Sequence, residues 1–339
     1  MNDNLKIQQR FFEELRNKLS TSLSLADVIS DELTISIDSA YRRIRGETGL
    51  SFNEIKKLCT KFEMSLDSLF ASAPNTVLFS YRAINPEKFN YDSYFLSIID
   101  NMQALREYRI KEIIYGAKDI PIFYNFIKPR LAAFKLFFWM QDIFNFPGMK
   151  DMKFDPEAIS SNTLSISKKV WESYVQVPSI EIWSEETISI TLQQIDYYYD
   201  KGRFRSQEDA IMLMEEYKSI IEHQQKQAEC GCKFQVGNET LGNETNLKLY
   251  YNNVSISDNT VYFKMKDFNM VHLGHNVMNI LSTTDPSFCE DTFQILKNLM
   301  RKSKLVSVKS EKNRIRFFNN MYQKIDGFIE KIKNKRQKQ

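Results

Sequence analysis

Histidine, glycine and cysteine are scarce in this chain, and no long uncharged apolar run interrupts it. Three histidines and ten glycines in 339 residues leave little of the usual catalytic material. No glycine-rich phosphate loop, nucleophile elbow or paired histidine and acid signature occurs, so neither an enzymatic activity nor a cofactor is expected. The four cysteines, Cys59, Cys230, Cys232 and Cys289, show none of the frameworks that staple small secreted domains, which suits a reducing compartment. The most apolar window, residues 123–140, contains Lys128, Pro129, Arg130 and Lys135, whereas a membrane span needs about 20 largely uncharged residues. It reads as a buried aromatic helix, and no membrane partner is expected. The opening residues lack the basic start, apolar stretch and small-residue site of a secretory leader, so a cytoplasmic location is expected. The sequons at Asn238, Asn243 and Asn253 then read as turn chemistry.

What is present is ordinary globular composition: 42% hydrophobic and 26% charged residues, with a helical bias from the low glycine and proline content. The length favours two domains. A formal charge of +3 divides unevenly: residues 1–70 sum to −1, residues 71–299 to −6 and residues 300–339 to +10. Bulk charge therefore does not mark the first domain as a binder of nucleic acid.

Residues 5–19 place Phe11, Phe12, Leu15 and Leu19 at helical spacing, which predicts an amphipathic first helix. Ser24 is a natural cap for a second, with Leu25, Val28, Ile29 and Leu33 on one face. Thr34-Ile35 makes a short connection to Ser36, which can cap a third helix ending at Gly46 as a C′ residue. Ser51 and Glu54 form a capping box for a fourth, carrying Ile55, Leu58, Cys59 and Phe62, and a fifth begins near Ser65. Two helices separated by a few residues match the helix-turn-helix spacing. The expected fold is mainly α with a small β component: a five-helix domain over 1–72, a linker over 73–90, and a larger α+β domain over 91–339. Within the latter, helices are expected around 95–105, 122–144, 184–200, 206–228 and 285–302, with a long one closing the chain. Strands are expected between 246 and 273, with a hairpin through Ser257–Thr260, and again near 305–310.

The run from Leu33 to Phe70 resembles the Cro/C1 (Xre) helix-turn-helix family, of lambda-repressor-like fold, and the neighbouring BetR-type regulators. The likeness covers residues 24–70, about a seventh of the chain. Leu33, Ile35, Ala40 and Ile44 match the family's core positions, and Ser36 its polar opening of the recognition helix. Ser30 stands where the family usually has Ala, and Thr34 where it usually has Gly. The resemblance implies a sequence-specific, DNA-binding transcriptional regulator that dimerises on a palindrome.

The residues give a physical case beside it. A recognition helix presents its N-terminal side chains to base edges and needs cations along its flank. Ser36, Asp38 and Ser39 occupy the first turn, Tyr41 and Arg42 follow outward, and Arg43 and Arg45 can reach phosphates or guanine edges. Arg42 is the foremost expected base contact, and Lys56 and Lys57 add phosphate contacts. Double-stranded DNA and a second copy of the chain are thus the expected partners. A small-molecule or peptide effector is a further candidate for the C-terminal domain. The other reading is a protein-interaction or signal-sensing module whose helical domain no longer binds DNA.

Three further groups stand out. Cys230-Gly-Cys232 with His223, His272 and His275 has metal-ligand chemistry but not the usual zinc spacing, so no metal is expected. The aromatic stretch Phe123, Tyr124, Phe126, Phe134, Phe137, Phe138 and Trp139 is either core or pocket wall. The closing helix stripes Phe318, Met321, Tyr322, Ile325, Phe328, Ile329 and Ile332, suiting a dock onto its own domain or a dimer partner.

Overall fold

The computed structural model describes residues 3–19, 24–62, 64, 76–81, 83–107, 112–238, 245–254, 256–275 and 278–335. The chain divides into two compact units, Met1–Leu78 and Phe79–Gln339. It is mainly helical, with one mixed eight-stranded sheet.

The small unit contains α1 (Asp3–Lys18), α2 (Leu25–Leu33), α3 (Ile37–Ile44) and α4 (Phe52–Lys61). The fifth helix expected near Ser65 lies outside the described residues. Phe11, Phe12 and Leu15 of α1 meet Leu25, Ile29 and Leu33 of α2, Ala40 of α3 and Leu58 of α4 in one core. Ser24 stands at the N-cap of α2 in extended geometry, yet its side chain makes no capping bond. Ser51 and Glu54 form the complete capping box of α4. Gly46 follows α3 at φ +78°, a backbone state that glycine enters without steric cost. Thr34, which closes α2, is held at φ +57° and ψ +50°, a left-handed conformation that L-residues with a branched Cβ resist.

The larger unit opens with β1 (Ser80–Tyr81), α5 (Tyr91–Glu107) and β2 (Glu112–Gly116). A short 3-10 turn, Ile122–Phe126, leads to α6 (Pro129–Phe138) and a π-turn at Trp139–Ile143, followed by α7 (Ser161–Val175) and β3 (Ser179–Trp183). Next come α8 (Ser189–Asp200), α9 (Gln207–Cys230) and β4 (Leu247–Tyr251). A meander of β5 (Thr260–Lys264), β6 (Asn269–His275) and β7 (Asn279–Thr283) precedes α10 (Pro286–Lys302), β8 (Lys304–Leu305) and α11 (Glu311–Lys335).

Strand order is β1-β7-β6-β5-β2-β3-β4-β8. The pairs β2–β3 and β3–β4 are parallel, as strands joined by helical crossovers must be, and the other pairs are antiparallel. One face of the sheet, with Ile113, Tyr115, Trp183, Leu249 and Phe263, packs into the large core formed with the helices. The opposite face, with Ile114, Ile180, Ile182, Tyr262 and Val271, is covered by Cys289 and Leu296 of α10. Leu296 lies so near β2 that a Cβ on Gly116 would meet its Cδ2 at 3.2 Å.

Several expectations need correction. The stretch 73–90 is not linker throughout, since Ser80 and Tyr81 pair with Ser282 and Leu281 and Phe89 packs on the large core. Residues 184–188 precede α8, and 179–183 form the central strand β3. The described residues of VSIS (254–257) belong to no strand, and the hairpin joins β5 to β6 through residues 265–268 instead. Helix α7 and strands β2, β3 and β7 add to what the sequence led one to expect. The β component is one eight-stranded sheet in which the parallel strands β2, β3 and β4 lie side by side.

Candidate nucleic-acid interface

Ser36 fixes where α3 begins: its backbone is extended, and its Oγ accepts the Ser39 N–H at 3.2 Å. The same hydroxyl donates to Ser39 Oγ at 2.9 Å. Asp38, in the first turn, complements the positive end of the helix dipole. Ala40 is wholly buried, so this side of α3 is pinned to the core while the opposite side faces out. Ile37, Tyr41 and Arg45 form one exposed ridge at four-residue spacing, and Asp38 and Arg42 form the next.

The three guanidinium groups have different surroundings. Arg43 is turned sideways: Nε and Nη2 donate to Glu54 Oε1 at 3.1 and 2.8 Å, and Nη1 donates to the Ser39 carbonyl at 3.2 Å. Its side chain is only 17% exposed, so it joins α3 to α4 and is not a free donor for DNA. Burial works to raise the Glu54 carboxyl, but bonds from Ser51 and then Arg43 outweigh it and hold the group below its ordinary range. Arg42 and Arg45 do face outward, at 55% and 53% exposure. Both meet Glu47: Arg45 donates to both of its oxygens, at 2.6 and 3.2 Å, and Arg42 Nε lies 3.8 Å away. The hydrogen bond from Arg45 lowers the Glu47 carboxyl. Exposed pairs of this kind are worth about 0–1 kcal/mol, so a phosphate or base edge can replace Glu47 at small cost. Lys56 and Lys57 are exposed on α4.

Gln8 is a residue that sequence reasoning missed. Its Nε2 donates to the carbonyls of Arg43 and Thr48 at 2.7 and 2.8 Å, and its Oε1 accepts the Leu50 N–H at 3.1 Å. One amide on α1 thereby satisfies the end of α3 and the loop beyond it, and sets the angle at which α3 is presented. The available signal was position: Gln8 lies three and four residues before Phe11 and Phe12, on the apolar stripe of α1.

The cysteine and histidine group does not converge. Cys230 and Cys232 are bonded to each other across Gly231, which holds φ +70° at the end of α9, so a local disulfide exists where none was expected. His223 is buried on α9, with Nε2 3.0 Å from the Phe234 carbonyl. His272 and His275 lie on β6. The described residues contain no cluster of three or more His, Cys, Asp or Glu able to hold a metal ion. No helix among them is long and apolar enough to cross a membrane.

In the aromatic stretch, Tyr124, Phe126, Phe134, Phe137 and Phe138 belong to the core, while Phe123 and Trp139 also line a cavity. The stripe of α11 is covered by its own unit: Phe318, Met321, Ile325 and Ile332 are fully buried, and Lys218 of α9 donates to Asp326 at 2.7 Å.

A second polar cluster lies inside the large core. Glu181, at the centre of β3, has no exposed surface. Its Oε1 accepts from Tyr124 Oη and Tyr174 Oη, both at 2.8 Å, and from Ser179 Oγ at 3.2 Å, while Oε2 accepts Trp183 Nε1–H at 3.0 Å. Lys233 lies 3.9 Å above the Tyr174 ring, and burial pushes its amine down to about 7. Four donors surround the carboxyl group, so both of its buried oxygens are hydrogen-bonded.

No family model matches the chain, and no curated protein or solved structure matches it significantly.

Proposed function

We propose that the chain is a sequence-specific transcriptional regulator that binds double-stranded DNA as a homodimer, with α3 entering the major groove and the larger unit serving dimerisation and signal reception. The observation that carries this reading is the outward side of α3. Arg42, Arg45, Tyr41 and Asp38 are exposed there, while Ala40, Arg43 and Gln8 hold the helix from behind. A helix entering a groove must have this rigidity, because base contacts tolerate little misplacement. Arg42 and Arg45 are the base- or phosphate-reading cations, Ser36, Asp38, Ser39 and Tyr41 line the approach, and Lys56 and Lys57 add phosphate contacts.

The test is selection of bound fragments from a random DNA pool, followed by Arg42→Ala on the enriched site. The enriched sequences should contain two half-sites about one helical turn apart. Arg42→Ala should weaken specific binding by about 1–3 kcal/mol with the fold unchanged. A pool with no enrichment, or a variant that binds as the parent does, overturns the reading.

A second reading has its own observation. Ile37 and Tyr41 are 50% and 46% exposed on α3, and Phe52 is 86% exposed at the start of α4. This apolar surface suits a protein partner, in a module that no longer binds DNA. Under that reading Phe52→Ser abolishes partner capture, and the DNA selection returns nothing.

A further inference from the structure

The larger unit holds a cleft of about 400 Å³, partly open to solvent and walled by α5, α6, α8 and the strands β2, β5, β6 and β7. It lies beside the carboxyl end of β2, where the strand's neighbours change from parallel to antiparallel. The size falls in the range of pockets that hold drug-sized molecules.

Most charge around this space is already matched. Lys135 Nζ donates to Thr191 Oγ1 at 3.1 Å and to Gln194 Oε1 at 2.8 Å, and lies 3.7 Å from Asp119. His272 is held neutral, since burial brings its pKa to about 4. Lys118 and Asp258, opposite in sign, stand exposed at the rim of the cleft, and deeper in, a charged ligand would find no spare counter-charge and would lose its hydration. Two polar atoms are left over. Asn125 and Trp139 both line the cavity and are each 1% exposed, yet Asn125 Oδ1 and Trp139 Nε1 have no hydrogen-bond partner among the described residues. Buried polar groups are nearly always paired, so one unpaired acceptor and one unpaired donor on two residues that line the same cavity point to a ligand that completes them.

We propose that this cavity binds an uncharged, largely apolar small molecule, an alcohol or a carboxamide, whose oxygen accepts the Trp139 indole N–H and whose own hydrogen is donated to Asn125 Oδ1. Its apolar body lies against Phe123, Val261 and Phe263. This makes the larger unit a receptor for a neutral amphiphile, and the inference stands whether or not the small unit binds DNA.

The test uses the full chain and 6-propionyl-2-(dimethylamino)naphthalene, a neutral fluorophore with one carbonyl acceptor. Titration should give a saturable blue-shifted emission with one site per chain. Trp139→Phe should bind roughly three- to tenfold more weakly, the range set by loss of one hydrogen bond, with a thermal midpoint near that of the parent. Val261→Trp, which fills the space, should abolish the signal. Ile280→Trp, at a lining position that is 43% exposed and so tolerant of substitution, should do the same if Val261→Trp does not fold. Absence of a saturable signal from the parent overturns the proposal, as does unchanged binding in folded Trp139→Phe together with either blocking variant.

Discussion

Among the described residues of the small unit no polar side chain is buried, whereas the larger unit encloses Glu181, Lys135, Lys233 and Arg314. In the small unit, polar chemistry is spent on caps, on the Arg43–Glu54 link and on the outward side of α3. Its core is purely apolar, so it can be rigid without being selective inside. The larger unit does the reverse, embedding hydroxyls, amides and ions in an aromatic core and lining a cavity with some of them. Buried polar networks are costly unless complete, and they specify one arrangement when they are. The contrast is the one that the two proposals require, surface recognition by the small unit and ligand recognition by the larger one.

The hardest test of that contrast is Glu181→Leu. It leaves Tyr124, Tyr174 and Trp183 as buried donors with no acceptor, and Lys233 without its carboxylate neighbour. The expected cost is about 3–5 kcal/mol, confined to the larger unit. Calorimetry should show one transition falling by roughly 10 °C while the small unit's transition stays in place. A shift of both transitions together would mean that the units do not hold their stability separately.

Next in size is a pH effect that only the larger unit should show. His272 has an unfolded pKa near 6.5 and a folded value of about 4, because burial penalises its charged form. Between those values the unfolded chain takes up a proton that the folded chain refuses, so stability falls as pH drops from about 6.5 to about 4. The loss is about 2–3 kcal/mol. His272→Phe, beside Phe263, should flatten this part of the acid limb. An unaltered acid limb in that variant would assign the loss to other groups.

Legibility in the sequence follows the same division. The small unit's helices were readable because they announce themselves locally: Ser36 and Ser51 as caps, Gly46 as a stop, and Leu25, Ile29 and Leu33 at helical period. Similar signals marked α9, with Ser206 and Gly231, and α10, with Asp285 and Pro286. Strands β2 and β3 escaped because both their faces are covered, which removes the polar alternation by which a strand is recognised. SIEIW does alternate, but Ser179 and Glu181 point into the core, so the pattern marks an interior polar cluster and not a wet face. Of the candidate interface, the position of α3 was readable from spacing. The fate of Arg43 was not, since its partner Glu54 is eleven residues away on another helix and no local rule links them.

Two arginines on α3 sharpen the comparison within the small unit. Arg43→Ala removes the link to Glu54 and should cost about 1–2 kcal/mol of stability, because the pair is partly buried and doubly bonded. Arg42→Ala should leave the thermal midpoint within a degree or two, because its contact with Glu47 is exposed. The difference between the two variants, read by thermal unfolding of the small unit, separates the residue that holds the helix from the one that uses it. Equal midpoints would remove the distinction between a holding and a reading cation.

The smallest expected effect runs in the stabilising direction. Thr34 sits at φ +57° in the turn between α2 and α3, and its N–H is bonded back to the carbonyls of Asp31 and Ser30. That geometry costs a β-branched residue about 1–2 kcal/mol relative to glycine, while glycine adds unfolded-chain entropy that returns about half of it. Thr34→Gly should therefore stabilise the small unit by about 1 kcal/mol, and Thr34→Val should not. If the turn is rigid already, DNA affinity of Thr34→Gly stays level as its stability rises. A loss of affinity would instead show that the strained threonine stiffens the turn that aims α3.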